Sequence, residues 1–347
     1  MMASIFCSAL IACSGGNNNS GYVSVTNRSD STVSMFAINN NGILSPLGLA
    51  SVTTGTNPSA IALNNTNVYS YITNYSANTV SMYSVSSTGL LTPLNTSTVA
   101  TGNNPSRIVV NPIGNYAYVT NYGDNTVSMY SITSNGLLSP LSPTTVSTGS
   151  NPSSIVINAA GTYAYISNYS SNTVSQYAVS TAGILSPLAV ATVATGTNPS
   201  AVALNSTGTF AYVTNYGDNT VSQYAIGTSG VLTPLSTATV ATGTSPVRIT
   251  INQANTLAYV ANYTANTISM YAIGSNGILT PLSTPTVATG SGPSAITINS
   301  AGTYAYITNY SSNNVSMYSI GSSGVLTPLS TATVNTGNGP SGISTIY

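Results

Sequence analysis

The sequence predicts an all-β chain folded as a seven-bladed β-propeller, with four antiparallel strands in each blade. Three observations predict it. An Asn recurs at Asn27, Asn74, Asn121, Asn168, Asn215, Asn262 and Asn309, always 47 residues apart. Two Pro registers, Pro58 to Pro340 and Pro46 to Pro328, keep the same period without insertion. The folded part opens on the second strand of a repeat and closes on a first strand, so the two ends complete one blade. Four short strands in each repeat of roughly 40–50 residues mark a propeller rather than an open solenoid. A linear array would need capping repeats, and none is visible.

The elements of one repeat follow from local chemistry. In the unit beginning at Pro105, Ser106–Asn111 is a short apolar run and Pro112-Ile113-Gly114-Asn115 is a turn. Tyr116–Tyr122 is aromatic and β-branched, and Gly123-Asp124-Asn125 turns the chain again. Thr126–Ile132 alternates, Ser134-Asn135-Gly136 is a turn, and Leu137–Ser147 supplies the last strand. These are strands A to D, punctuated by Gly, Pro, Asn and Asp. No 3.6-residue apolar period runs through the body of the chain. The propeller is expected over residues 22–347, from a B strand at Tyr22 to an A strand at Ser341–Tyr347, pairing to close the ring and remove an open end.

Residues 1–12 read as a signal peptide of the lipoprotein type. Ile5–Ala12 is apolar and too short to span a bilayer as a helix. Leu10-Ile11-Ala12-Cys13 resembles a lipobox, with Cys13 as the lipidated residue. The leader is short and lacks a basic start, as a truncated start codon would leave it. Residues 13–21 are expected to be the lipidated Cys and a flexible Asn/Gly/Ser tether. Processing there would leave Cys13 as the only Cys, hence no internal disulfide. The membrane is then met through the lipid alone. The predicted location is the bacterial cell envelope, as an outer-membrane lipoprotein, with plain secretion as the alternative.

Composition excludes whole classes. Of 347 residues, 2% are charged, and there is no His, Glu, Lys or Trp. Three Arg cannot neutralise a nucleic-acid footprint. A zinc site of ordinary type and a Ser–His–Asp triad both lack their ligand or base. No cofactor and no metal are expected. Abundant Tyr, Val, Ile and Leu, set among Ser, Thr and Asn, argue for a folded chain with a neutral wet surface.

The YVTN-type motif, the G-x-L-x-P-L segment and the T-G-x-x-P-S segment resemble the lactonase-type seven-bladed propellers. That family includes bacterial 6-phosphogluconolactonases and muconate-cyclase relatives. The YVTN motif is also similar to repeats of archaeal surface-layer propellers. The resemblance covers Gly21–Tyr347 and implies the propeller fold and lactone hydrolysis. Better-marked enzymes of the family carry a G-P-R-H-type segment at the start of strand A. The matching positions here are Asn104-Pro105-Ser106-Arg107 and Ser245-Pro246-Val247-Arg248. The His position holds Arg twice and Ala, Ser or Gly elsewhere, and the family's Glu has no counterpart.

All six charges are predicted to lie on one face, because D–A and B–C connections share a face in an antiparallel blade. Arg107 and Arg248 start innermost strands near the channel mouth. Asp30, Asp124 and Asp218 occupy the B–C turn of alternate blades, beside Arg28. The functional reading is an anion-tolerant mouth formed by Arg107, Arg248 and Arg28, with Tyr122 and Tyr216 and an acidic rim of Asp30, Asp124 and Asp218. The competing reading is that Asp is a good turn residue and Arg merely reaches into solvent. Three Asp on separate blades cannot converge on one ion. The Tyr following each Asn is expected to pack blade on blade. The Asn column is expected to bond backbone at the strand end.

The expected function is an exported, lipid-anchored propeller acting as a binding or surface-interaction module without catalysis. Its partner would be carbohydrate or another envelope or surface protein. The alternative is a lactonase-type hydrolase like the 6-phosphogluconolactonases. A second alternative is a surface-layer or adhesin-like structural component.

Overall fold

A computed structural model describes residues 19–347. The predicted leader and Cys13 lie outside the described residues. Seven antiparallel sheets of four strands form the ring. Blade 1 is assembled from both ends of the chain. Pro340–Ile346 pairs with Asn19–Asn27, which leads through Thr32–Asn39 to Leu44–Thr53. Tyr22 lies opposite Ile346 and Val25 opposite Ile343. The first strand begins at Asn19. Blades 2 to 7 follow in order, each running A to D from the channel outward. In blade 3 the strands are Pro105–Val110, Tyr116–Asn121, Thr126–Ile132 and Leu138–Ser147, close to the sequence reading.

The core consists of seams between blades. Strand B of blade 3 is buried on both faces after its first residue, because each face meets a neighbouring blade. One seam joins Tyr71, Val80 and Met82 of blade 2 to Ile108, Val119 and Tyr130 of blade 3. Each fully buried aliphatic side chain there contributes about 1.5–3 kcal/mol. The β-branched residues of V-T-N and T-V-S suit this pleated, doubly covered surface.

Two Tyr columns clamp the seams. Tyr118 is wholly buried, and its hydroxyl donates to the Gly183 carbonyl of the next blade at 2.8 Å. Tyr130 reaches the other way and donates to the Ala100 carbonyl of the preceding blade at 2.6 Å. Tyr122 and its sisters add ring contacts from blade to blade, such as Tyr75 to Tyr122 at 6.5 Å, as expected of them.

The Asn column bonds backbone in blade 3, where Asn121 Oδ1 accepts the Gly102 N–H at 3.2 Å, and it makes side-chain bonds as well. Asn121 Nδ2 donates to two side chains of strand C, Thr126 Oγ1 at 2.9 Å and Ser128 Oγ at 2.8 Å. The bond thus ties the B and C strands side chain to side chain. The T-G-x-x-P-S segment makes room for it: a Cβ on Gly102 would lie 2.8 Å from the Asn121 carboxamide.

Strand D forms the outer edge. Thr145 pairs opposite Ser128 and Pro140 opposite Tyr130, so Leu141–Thr144 bulges out of the ladder. The same break recurs in every blade. Proline and a bulge blunt an edge that carries no charge.

Candidate functional site

The antiparallel order brings the starts of the A strands and the ends of the B strands to one face, around the channel. Inner-strand Ser residues form a belt there. Ser59 Oγ donates to the Pro105 carbonyl of the next blade, and Ser106 Oγ to that of Pro152, both at 2.8 Å. Ser341 reaches Pro58 in the same way and so closes the belt across the chain ends. Blade 6 is the exception, because Val247 stands where the others have Ser and cannot donate.

Above the belt stands a ring of half-buried Tyr. Tyr75, Tyr122, Tyr169 and Tyr216 touch in sequence, with centroids 6.2–6.5 Å apart and planes tilted about 50°. Tyr263 and Tyr310 form a separate pair. In blade 1 the Tyr position holds Arg28, whose guanidinium lies 4.8 Å from the Tyr75 ring centroid. That contact is a cation–π interaction. Burial raises the pKa of Tyr122 and Tyr169, and neighbouring Tyr rings add to the effect. These phenols are therefore poor proton acceptors near neutrality.

The ring and belt enclose a cavity of about 540 Å³. Arg28, Val247 and Arg248 line it, with five of the Tyr and five of the belt Ser. Among the predicted site residues the structure thus brings together Arg28, Arg248, Tyr122 and Tyr216. Arg248 Nε is buried and has no hydrogen-bond partner. Arg107 has the same register in blade 3 but does not line the cavity. Desolvation lowers its pKa to about 10. Its guanidinium remains charged at neutral pH.

The three Asp lie outside this cavity. Asp124 Oδ2 accepts the Asn103 backbone N–H at 2.6 Å, and Oδ1 accepts Asn103 Nδ2 at 2.7 Å. Asp218 accepts the Thr197 N–H, and Asp30 that of Asn338, each at 2.6 Å. These bonds hold the Asp30 and Asp218 carboxyls below the usual range. Asp30 also borders a separate surface groove against blade 7. Ser171 and Ser312 make the equivalent bond in other blades. The three Asp thus tie the B–C turn to the loop that leads into strand A.

Sequence reasoning overlooked Val247. Its signal was present, since it is the one break in the seven Pro-Ser pairs of strand A. Tyr75, Tyr263 and Tyr310 were recognised as a ring but not chosen as cavity residues.

Comparison with known proteins places this architecture. Residues 16–103, 92–191 and 180–295 match the family model described as Lactonase, 7-bladed beta-propeller. The chain belongs to this lactonase family. Similar solved structures include a candidate 6-phosphogluconolactonase from Bacteroides fragilis, at 19% identity and a TM-score of 0.85. That match covers 96% of this chain and 99% of the other. The periplasmic gluconolactonase of Pseudomonas aeruginosa matches at 18% identity and a TM-score of 0.82, over 94% of this chain and 99% of the other. A virginiamycin B lyase from Staphylococcus aureus matches more distantly, at 17% identity and a TM-score of 0.56, over 80% of this chain and 84% of the other. At these identities the likeness shows the fold, which hosts more than one chemistry. No curated protein sequence matches the chain.

Membership in the lactonase family corrects the expectation of a binding module without catalysis. That expectation rested on the missing His and Glu. The family match backs the lactonase alternative instead.

Proposed function

We propose that the channel mouth is the active site of a lactonase-type hydrolase acting on the cyclic ester of a polyhydroxylated acid. The observation that carries this is the cavity of about 540 Å³ on a lactonase-family propeller, lined by two guanidinium groups, Tyr faces and Ser hydroxyls. Tyr faces suit the apolar face of a sugar-like ring. The volume lies within the range of small-molecule sites.

The chemistry asked of the site is modest. Hydroxide adds to the lactone carbonyl, the ring C–O bond breaks, the leaving alkoxide takes a proton from water, and the new carboxylic acid gives its proton to the hydroxide so formed. Charge collects on the carbonyl oxygen, and a guanidinium with a free, desolvated donor stabilises it there. Arg248 supplies that donor. The chain has no His or Glu, and its three Asp are bonded into loops. Electrostatic stabilisation and positioning therefore replace general-base catalysis. Hydrolysis of a lactone panel, including gluconolactone and its 6-phosphate, tests the reading. Activity lost in the Arg28→Ala, Arg248→Ala double variant supports it; no activity on any lactone sinks it.

We also propose that the protein is exported and lipid-anchored at Cys13 in the envelope. The chain enters its first strand on the face opposite the mouth, so such an anchor would leave the mouth facing away from the membrane. Cys13→Ser should move the protein to the soluble fraction. Unchanged membrane association would refute the anchor.

A further inference from the structure

The ring is nearly sevenfold, and it departs from that symmetry most at blade 6. Val247 breaks the Ser belt, Arg248 replaces a small residue, and no ring contact joins Tyr216 to Tyr263 across the seam. At the position of Arg248 the other blades hold Ala60, Ser154, Ala201, Ala295 and Gly342, apart from Arg107. A Cβ on Gly342 would already lie 3.2 Å from the Ala60 Cα, so small residues there keep adjacent A strands close. Placing Arg at such a position works against blade packing, so packing does not explain it.

Nothing among the described residues pairs with this Arg. Its Nε is buried without an acceptor, and the cavity wall includes no carboxylate. Arg28, also on the wall, lies over the Tyr75 ring and makes no ion pair among the described residues. A buried Nε–H without a partner is costly to keep, and an oxyanion that fits the guanidinium fork relieves the cost.

We propose that Arg248 and Arg28 make the mouth a carboxylate site that captures the ring-opened product more tightly than the neutral lactone. This rests on the lactonase reading. Hydrolysis adds water across the ester, giving a hydroxyl and a carboxylic acid that releases its proton to solvent. The substrate is neutral at the reacting carbon and the product carries a full negative charge there. Two guanidinium groups on a wall without carboxylates favour the anion. The protein is thereby inhibited by its own product, and flux depends on a reaction that consumes the free acid.

The test is calorimetric titration of the intact protein with sodium gluconate, its neutral amide and inorganic phosphate. Gluconate is expected to bind at least about tenfold tighter than the amide, and to weaken as salt rises. Arg248→Ala installs the residue that Ala201 already provides in blade 5, so the fold should survive. It should lose most of the preference, and Arg248→Lys should keep part of it. Equal binding of gluconate and amide overturns the proposal, as does an unchanged preference in Arg248→Ala. Inorganic phosphate binding tighter than gluconate reassigns the site to phosphate and also overturns it. Turnover without gluconate binding sinks this inference and leaves the lactonase reading intact. Gluconate binding without turnover keeps the carboxylate site but sinks the lactonase reading and, with it, product inhibition.

Discussion

Asp124 bonds Asn103 twice, accepting its backbone N–H at 2.6 Å and its side-chain amide at 2.7 Å. The carboxylate of the B–C hairpin thus fixes the loop that leads into strand A of the same blade. The bond is exposed, and Ala77 and Ala265 show that sister blades do without it. Asp124→Ala should therefore lower the melting temperature by only about 1–3 °C. Lactone turnover should stay within about twofold of the parent. Thermal scans and initial rates check both, and a collapse of turnover would return Asp124 to the site.

A sharper effect is expected at Gln176. Five blades place a Met at this position, and Met82 Sδ accepts the Leu138 N–H. Gln176 replaces Met with two stronger bonds. Its Oε1 accepts the Leu232 N–H at 2.7 Å and its Nε2 donates to the Val190 carbonyl at 2.9 Å. Gln176→Leu leaves the Leu232 N–H unpaired in a buried seam and should cost about 1–3 kcal/mol. Gln176→Met restores the acceptor used in the other blades and should cost clearly less. Urea unfolding of the two variants compares them directly, and equal losses would show that the seam does not depend on that acceptor.

Stability of the propeller should be nearly flat between about pH 5 and 9, because no side chain among the described residues titrates there in the ordinary course. Below that window, Asp30 and Asp218 have folded pKa values held down by loop N–H groups. Their contribution is present above the unfolded pKa and fades as pH falls through the folded one. Above the window, burial pushes Tyr130 up to about 12, and Tyr71, Tyr118 and Tyr165 higher still. These phenols favour the folded state fully below the unfolded Tyr pKa of about 10, and that contribution is lost as pH rises further. Arg107, lowered to about 10 by burial, works in the opposite direction. The Tyr outnumber it, so melting temperature should fall above pH 10. A steep change between pH 5 and 9 would contradict this account.

Catalysis without a side-chain base has a kinetic signature. After subtraction of spontaneous hydrolysis, kcat/KM should climb with hydroxide, about tenfold per pH unit across pH 6–8. A bell-shaped profile would reveal an acid–base pair that the cavity wall does not provide.

The ring was legible in the sequence because nothing interrupts the period, and because Tyr22 and Ser341 begin complementary parts of one blade. The partition of roles among the Tyr was not. Tyr118 and Tyr122 lie four residues apart in the same motif, yet one is buried against Gly183 and the other borders the cavity. Only the seam geometry separates them. Arg107 and Arg248 were indistinguishable by register, and the structure puts only Arg248 on the cavity wall, beside the one Val in the Ser belt. The absence of His and Glu made lactone hydrolysis only the alternative reading, and the family match favours that alternative. A lactone carbonyl can instead be activated by a guanidinium and attacked by solvent.

Arg248 is the residue on which the account depends most. The most direct measurement is the initial rate of gluconolactone opening by the intact protein and by Arg248→Ala, with thermal unfolding recorded for both. The account predicts turnover above background in the parent, and a loss of about tenfold to a hundredfold in a variant that melts within a few degrees of it. Equal rates in the two proteins, both folded, would contradict it.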